Sequence, residues 1–409
     1  MHPLYYGSLL WLAGGGEPPR YPSLSGRSAR CDVLIVGGGL TGTLTADALT
    51  AAGLSVVLID EGRIGGGSSA ASTGLLQYSN DIMLSDLLSR IGEERAAHFY
   101  RACKNAVERL GQLAETLPDD VAFKRRSSLY FASSEADVPK LKTEYEALRA
   151  RGFSVDWLEQ ADFRAIFPFA KPAALVTNGD GELNPYRLSV RLAERAAEKG
   201  ARIHENTSLK SVEGPKGDLA CHTSHGTVRA SSVIYAVGYR PEIAGLGHLA
   251  IKYARTSAIA TRVVPSLADW HQRWLLWETA RPYLYARTTR DGRVVIGGFD
   301  ENIREPIADR SALNKQANRL LAEARKLFPE LSLETEYAWN AAFCESEDDL
   351  PLIGEDPERP GRYVALGYGG NGAVYSMLAS GILTEALQGK TSMLAELVGL
   401  RSRRTGLPQ

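Results

Sequence analysis

The stretch from Cys31 to Gly74 restricts the fold more than any other part of the 409-residue sequence. A short apolar run, Val33 to Val36, enters Gly37-Gly38-Gly39-Leu40-Thr41-Gly42. A helix-like segment follows to Ala52, Gly53 ends it, and a second apolar run, Val56 to Ile59, stops at Asp60. The order is strand, glycine turn, helix, strand and acid, with the acid about twenty residues past the glycines, as in a dinucleotide site. Gly37 permits the tight turn, Gly39 lets the backbone approach a pyrophosphate, and Gly42 lets the helix sit close on the strand. The N–H groups at the helix start, Leu40 and Thr41, then face phosphate, and Asp60 can accept from a ribose hydroxyl.

Past Asp60, the residues Glu61-Gly62-Arg63-Ile64 lead into a run of small residues that ends at Gly74. A nicotinamide enzyme usually goes straight into another helix here. A small-residue run instead lets the chain lie against a long cofactor, with Gly67, Ser68, Ser69, Ser72, Thr73 and Gly74 offering hydroxyl and N–H groups. The plainer alternative is a flexible linker. At Gly37 to Gly42, Asp60 and Gly67 to Gly74 the sequence resembles the FAD-dependent amine and amino-acid oxidoreductases, the D-amino-acid oxidase, glycine oxidase and sarcosine oxidase superfamily. That resemblance implies an α/β fold: a Rossmann-like FAD-binding domain carrying an inserted substrate domain of antiparallel sheet plus helices. It also implies that Glu61 and Arg63 belong to the FAD site.

Composition agrees with a large enzyme and removes some partners. The 44% hydrophobic content supports a sizeable core. A net charge of −1 gives no electrostatic reason to expect nucleic acid or an anionic membrane. Four scattered cysteines with no C-x-x-C pair suggest no disulfide framework, metal site or dithiol centre, and a reducing cytoplasm is the expectation. The apolar segment Leu4 to Ala13 is too short to span a bilayer and no Lys or Arg precedes it. Residues 1–30 are therefore expected to be a strap on the body.

Along the chain, the FAD-binding domain is expected at 31–84, 175–247 and 335–395, the substrate domain at 85–174 and 248–334, and a free tail at 396–409. Tyr100, Cys103, Val107, Leu110 and Leu117 make one amphipathic helix face, so Cys103 reads as core. Phe163 to Lys171 reads as a proline-broken loop. Asn184 and Pro185 read as the N-cap and first position of a helix. Short strands then follow, among them Thr227 to Ala230 and, separately, Val233 onward into Gly238. In the resemblance, Leu209 meets the adenine through its backbone, and Ala236 and Gly238 form the turn beside it. Tyr283, Tyr285 and Arg287 alternate onto one strand face. They either wall a ligand cavity, where they are the candidate catalytic residues, or cover an interface. Leu313 to Phe328 reads as a helix with a solvated face.

Near the C-terminus, Asp349-Leu350-Pro351-Leu352-Ile353-Gly354 precedes a strand and the loop Gly367-Tyr368-Gly369-Gly370-Asn371-Gly372, which feeds a helix. No acid follows about twenty residues on, so a second dinucleotide site is not indicated. The positive helix end can instead stabilise charge on a reduced flavin. The resembling family carries a D-x-L-P-x-I-G strand and this loop, which assigns Gly369, Gly370, Asn371 and Gly372 to the cofactor. Reading from Asp349, this chain is one residue shorter between acid and leucine.

The resemblance implies removal of a hydride equivalent from the carbon beside an amine nitrogen of a small amine or amino acid, with FAD as acceptor. Where relatives place a cation for a substrate carboxylate, counting places Phe343, Gly370 and Val374. An amino acid would need another cation, such as Arg287, Arg255 or Lys252. The position of a flavin-linking cysteine holds Ala341, with Cys344 three residues on, so non-covalent FAD is expected. Val295 stands where oxidase relatives carry a lysine near the ring, which favours a quinone or carrier protein over oxygen as electron acceptor. A different class of function, a flavin-binding component of a complex, stands beside this reading.

Overall fold

A computed structural model of the chain describes residues 4–13, 17–26, 29–247 and 251–400. An eight-stranded sheet runs in the order Leu352–Glu355, Arg362–Leu366, Gly226–Tyr235, Ala29–Val36, Val56–Ile59 and Arg202–His204. Leu219–Thr223 and Leu209–Glu213 extend it as an antiparallel annex. The inner pairings are parallel. Helices therefore cover the sheet, and Leu34, Ile35, Val57, Leu58, Ile59 and Ile234 are fully buried. The glycine-turn helix, Leu40–Ala51, packs between the helices Pro185–Glu198 and Gly372–Leu387. Asn184 caps the former as expected, its side chain accepting from Arg187 N.

The second sheet has ten strands, ordered Tyr5–Gly7, Thr335–Ser346, Ile251–Thr261, Val294–Glu301, Leu284–Thr288, Leu275–Glu278, Lys124–Phe131, Ala173–Glu182 and Leu75–Leu76, with Val155–Glu159 also paired to Ala173–Glu182. It is antiparallel except where Leu275–Glu278 runs parallel to Lys124–Phe131. The helix Arg310–Leu327 lays Leu313, Ala317, Leu320, Leu321 and Ala324 onto it. Its charged residues face outward, so the solvated face is one half of an amphipathic helix.

Several boundaries differ from the sequence reading. Ala173–Glu182 and Thr335–Ser346 belong to the second sheet, so the chain returns to the first later than 175 and 335. Their apolar alternation is the same whichever sheet they join. Thr227 to Ala230 and Val233 to Tyr235 are one continuous strand. Its first part pairs with the annex as well as with Ala29–Val36, and its last part with Ala29–Val36 and Arg362–Leu366. Gln160–Ile166 is a helix with a capping box from Glu159 and Asp162, and its last residues, from Phe163, overlap the start of the segment taken as loop. The strap forms an edge strand, Tyr5 opposite Ala341. The first residues of the expected free tail, 396–398, instead complete the helix Met393–Val398, whose Leu397 and Val398 are buried against the helix Glu93–Glu115 and the strand Leu352–Glu355. The tail's last residues, 401–409, lie outside the described residues.

Gly42 controls how closely the first helix approaches its strand. Gly37 has φ +107, and a Cβ on Gly42 would run into the Gly37 carbonyl oxygen. Gly42→Ala is expected to cost about 1–3 kcal/mol through this backbone clash and to weaken FAD binding. Denaturant unfolding and flavin titration check it, and an unshifted midpoint would contradict it.

Candidate active site

A groove starts at the end of the strand Val56–Ile59 and runs past the first helix to the second sheet. Its outer part is lined by Gly37, Gly39, Asp60, Glu61, Arg63, Gly67, Leu209 and Ala236, with Leu4, Tyr5 and Leu12 of the strap over it. Its inner part is lined by Leu40, Ser69, Ser72, Thr73, Gly369, Gly370, Asn371 and Gly372, and by Tyr283 and Tyr285. Thr41, Ser68 and Gly238 line both. The structure thus brings together all the expected cofactor residues except Gly42, which packs on Gly37, and Gly74, which packs on Leu183 and Arg287.

Asp60 is held rather than free. Its Oδ2 accepts from Gly38 N and its Oδ1 from Gly62 N, both at 2.7 Å. Burial raises its pKa and those two N–H groups oppose the rise. Each carboxylate oxygen keeps a lone pair for a ribose hydroxyl. Glu61 pairs with Arg240, and Arg63 pairs with Glu205 at 3.1 Å.

The small-residue run is not a linker. Ser68–Ala71 is a helical turn whose Ser69 Oγ accepts from Leu40 N at 2.8 Å. Three successive carbonyls that follow are each bonded by a distant side chain. Ala71 O accepts from Trp339 Nε1 at 2.8 Å, Ser72 O from Trp11 Nε1 at 2.6 Å, and Thr73 O from Arg287 Nε at 2.7 Å. This corrects the expectation for Arg287. It shares a strand face with Tyr283 and Tyr285 but does not line the cavity. Its guanidinium also donates to Leu183 O at 3.0 Å, pairs with Glu182 at 3.5 Å and lies over the Trp11 ring. Arg255 and Lys252 are likewise committed, to Glu301 and Asp349.

At the inner end the two glycine-loop helices meet. Thr41 Oγ1 and Ser376 Oγ are 2.8 Å apart, joining their first turns. Asn371 does not cap its own helix; its amide donates to Gln77 O at 3.1 Å and Asn80 Oδ1 at 2.6 Å. The first-turn N–H groups of that helix have no acceptor within it, and Gly372 at its start lines the cavity. Tyr239 Oη donates to Gly369 O at 3.0 Å and fixes the loop. The motif acid is Asp348 and not Asp349. Its Oδ1 accepts from Leu350 N and Ser346 Oγ, while Asp349 takes a left-handed φ of +62. Read from Asp348, the strand matches D-x-L-P-x-I-G in full, a match open to the sequence but missed by counting from the second acid.

Sequence reasoning also missed Asp81, Asp300, Thr256, Trp277 and Tyr239, all of which line the cavity. Burial pushes Asp300 up to about 6 and Glu345 up to about 7, and raises Asp81 as well. It also raises Tyr283, and Tyr285 to about 12. The arrangement fits FAD. The groove is long, two helix N-termini converge on it, and two buried atoms beside it, Gln77 Nε2 and Ser79 Oγ, have no hydrogen-bond partner among the described residues.

Fold and groove together define a flavin-dependent oxidoreductase. Residues 32–386 match the family model described as FAD dependent oxidoreductase, and the chain belongs to that family. It is 26% identical over 378 residues to a glycine oxidase of Geobacillus kaustophilus, covering 88% of this chain and 94% of that one. It is 25% identical over 381 residues to gamma-glutamylputrescine oxidoreductase of Escherichia coli, covering 88% and 84%. The crystal structure of the Geobacillus kaustophilus glycine oxidase superposes with a TM-score of 0.80 at 23% identity, over 93% of this chain and 100% of that one.

Arg287→Leu leaves the carbonyls of Thr73 and Leu183 without their donor. It is expected to cost about 1–3 kcal/mol and to loosen the run that faces the cofactor. A variant with unaltered unfolding midpoint and flavin affinity would contradict this placement.

Proposed function

We propose that the protein oxidises a C–N bond of an amine or amino acid to an imine. The hydrogen on the carbon beside nitrogen leaves as hydride, the nitrogen lone pair closes the C=N bond, and water hydrolyses the product. FAD, when bound, supplies the two-electron acceptor. The observation that carries this reading is the cavity where the two glycine-loop helices meet the second sheet, walled by Tyr239, Trp277, Tyr283, Tyr285 and Phe343.

Expulsion of hydride needs a neutral nitrogen. Aromatic walls that exclude water disfavour the ammonium there, so burial performs the task of a dedicated base. Trp277 is held rigid by stacking on Tyr130 at 3.7 Å, and Tyr285 lies across Gly297, where a Cβ would meet its ring. At the positions expected to hold a carboxylate clamp, Phe343 and Gly370 line the cavity and Val374 is buried in the core. Amines and N-substituted amino acids are therefore better substrates than glycine.

FAD is held non-covalently. Ala341 lines the cavity, while Cys344 is buried with its thiol pushed up to about 12, too protonated to attack. All four cysteines are free and buried, which fits a reducing cytoplasm. Among the described residues no helix is long and apolar enough to cross a membrane. Val295 is packed in an apolar cluster with Ala70, Ala71 and Trp339. The cavity lining contains acids and no Lys, Arg or His. A fixed positive charge that would speed electron transfer to oxygen is missing from that lining, which favours a quinone or carrier protein as acceptor.

Acid precipitation of the yellow protein should leave all flavin in the supernatant, and flavin pelleting with the protein would contradict the non-covalent assignment. After anaerobic reduction by an amine, reoxidation by a soluble quinone should outrun reoxidation by aerated buffer in stopped flow. Oxygen reacting as fast as the quinone, with stoichiometric peroxide, would contradict the choice of acceptor.

A further inference from the structure

Two carboxylates, Asp81 and Asp300, line the cavity in front of the glycine loops, and a third, Glu345, lies beside the loop at Gly369. Asp81 Oδ2 lies 3.2 Å from where a Cβ on Gly370 would stand, and Tyr283 Oη lies 3.6 Å from the same point. Glu345 Oε1 is 2.8 Å from the equivalent point at Gly369. Asp300 completes the group, with the hydroxyls of Thr256 and Tyr283 beside it. Burial raises Asp300 and Glu345, and the charge of Asp81 raises both further. Against them stands Arg281 at the exposed rim. It lies 5.0 Å over the Tyr283 ring and donates to the carbonyls of Glu278 and Ala280. Lys252 and Arg90 pair with Asp349.

Two independent features point to a bound cation. Asp300 Oδ1 and Tyr368 Oη are buried without a partner among the described residues, and the Tyr368 side chain is only 6% exposed. Asp81 and Asp300 line the same space and offer it negative charge, with no Lys, Arg or His in the lining to offset it. Among the described residues no group of His, Cys, Asp or Glu has the arrangement of a metal site. A substrate carboxylate would meet Asp81 where the loop at Gly370 is open. An ammonium, with three donors and no acceptor, fits this surface.

We propose that the substrate carries a second, distal ammonium received by Asp81 and Asp300 beside Glu345, so that the enzyme prefers diamine-type substrates to monoamines and to amino acids. This rests on the amine-oxidising reading above. The two nitrogens are treated oppositely: the reacting one is held neutral among the aromatic rings, and the distal one keeps its proton among the acids.

The test uses three amines of matched length with different tails: 1,4-diaminobutane, pentylamine and 4-aminobutanoate. Anaerobic reduction of the FAD-loaded protein at varied concentration separates the dissociation constant from the limiting rate. The expected result is binding of the diamine roughly tenfold tighter than pentylamine, the scale of a hydrogen bond to a charged group, with 4-aminobutanoate weakest. The difference should lie in the dissociation constant and collapse toward unity in Asp300→Asn and in Asp81→Asn, each first shown to retain FAD and a cooperative unfolding transition. Equal binding of the three, tightest binding of 4-aminobutanoate, or a diamine preference that survives in both variants would overturn the proposal alone. Failure of all three to reduce the flavin would overturn the amine-oxidising reading and the proposal with it.

Discussion

The closeness of Gly42 to the Gly37 carbonyl sets the position of everything else at the site. A helix one methyl group further out would tilt its first turn away from the groove and break the bond between Thr41 and Ser376. That bond ties the dinucleotide turn to the C-terminal glycine loop, 335 residues apart in sequence. Two helix N-termini are thereby aimed at one groove, each contributing partial positive charge where an anionic or electron-rich group would sit.

The second sheet does more than supply a substrate wall. It holds the cofactor-facing run from behind, through Trp339 to Ala71 and Arg287 to Thr73, while the N-terminal strap adds Trp11 to Ser72. Carbonyls bonded from outside leave Ser68 and Thr73 of the same run lining the groove. The strap is thus part of the site's support. The arginine that alternates with two cavity tyrosines fixes the backbone instead of binding a ligand, and its burial beside Glu182 leaves it no charge to offer a substrate.

What was legible in the sequence was local. The glycine turn, Asp60, the Asn184 cap and the second glycine loop each declare themselves within a few residues, because turns, caps and strand periodicity are short-range effects. The carboxylate wall was not legible, since Asp81, Asp300 and Glu345 come from three separate segments and meet only when the sheets close. Arg287 was misread because alternation fixes the face of a strand and not how far along it the cavity extends. Asp349 was misread because the count began at the second of two adjacent acids; from Asp348 the motif is complete, and the left-handed backbone at Asp349 agrees. The late return to the first sheet escaped for a related reason: an alternating strand such as Ala173–Glu182 does not state its neighbours.

The central claim is that this groove takes hydride from a carbon bonded to nitrogen. The direct measurement is the deuterium isotope effect on anaerobic flavin reduction, using 1,4-diaminobutane deuterated at both carbons beside nitrogen. The account predicts a primary effect of several-fold on the limiting rate, with the dissociation constant unaltered. A limiting rate indifferent to deuterium at those carbons, in a reduction that still runs to completion, would contradict it.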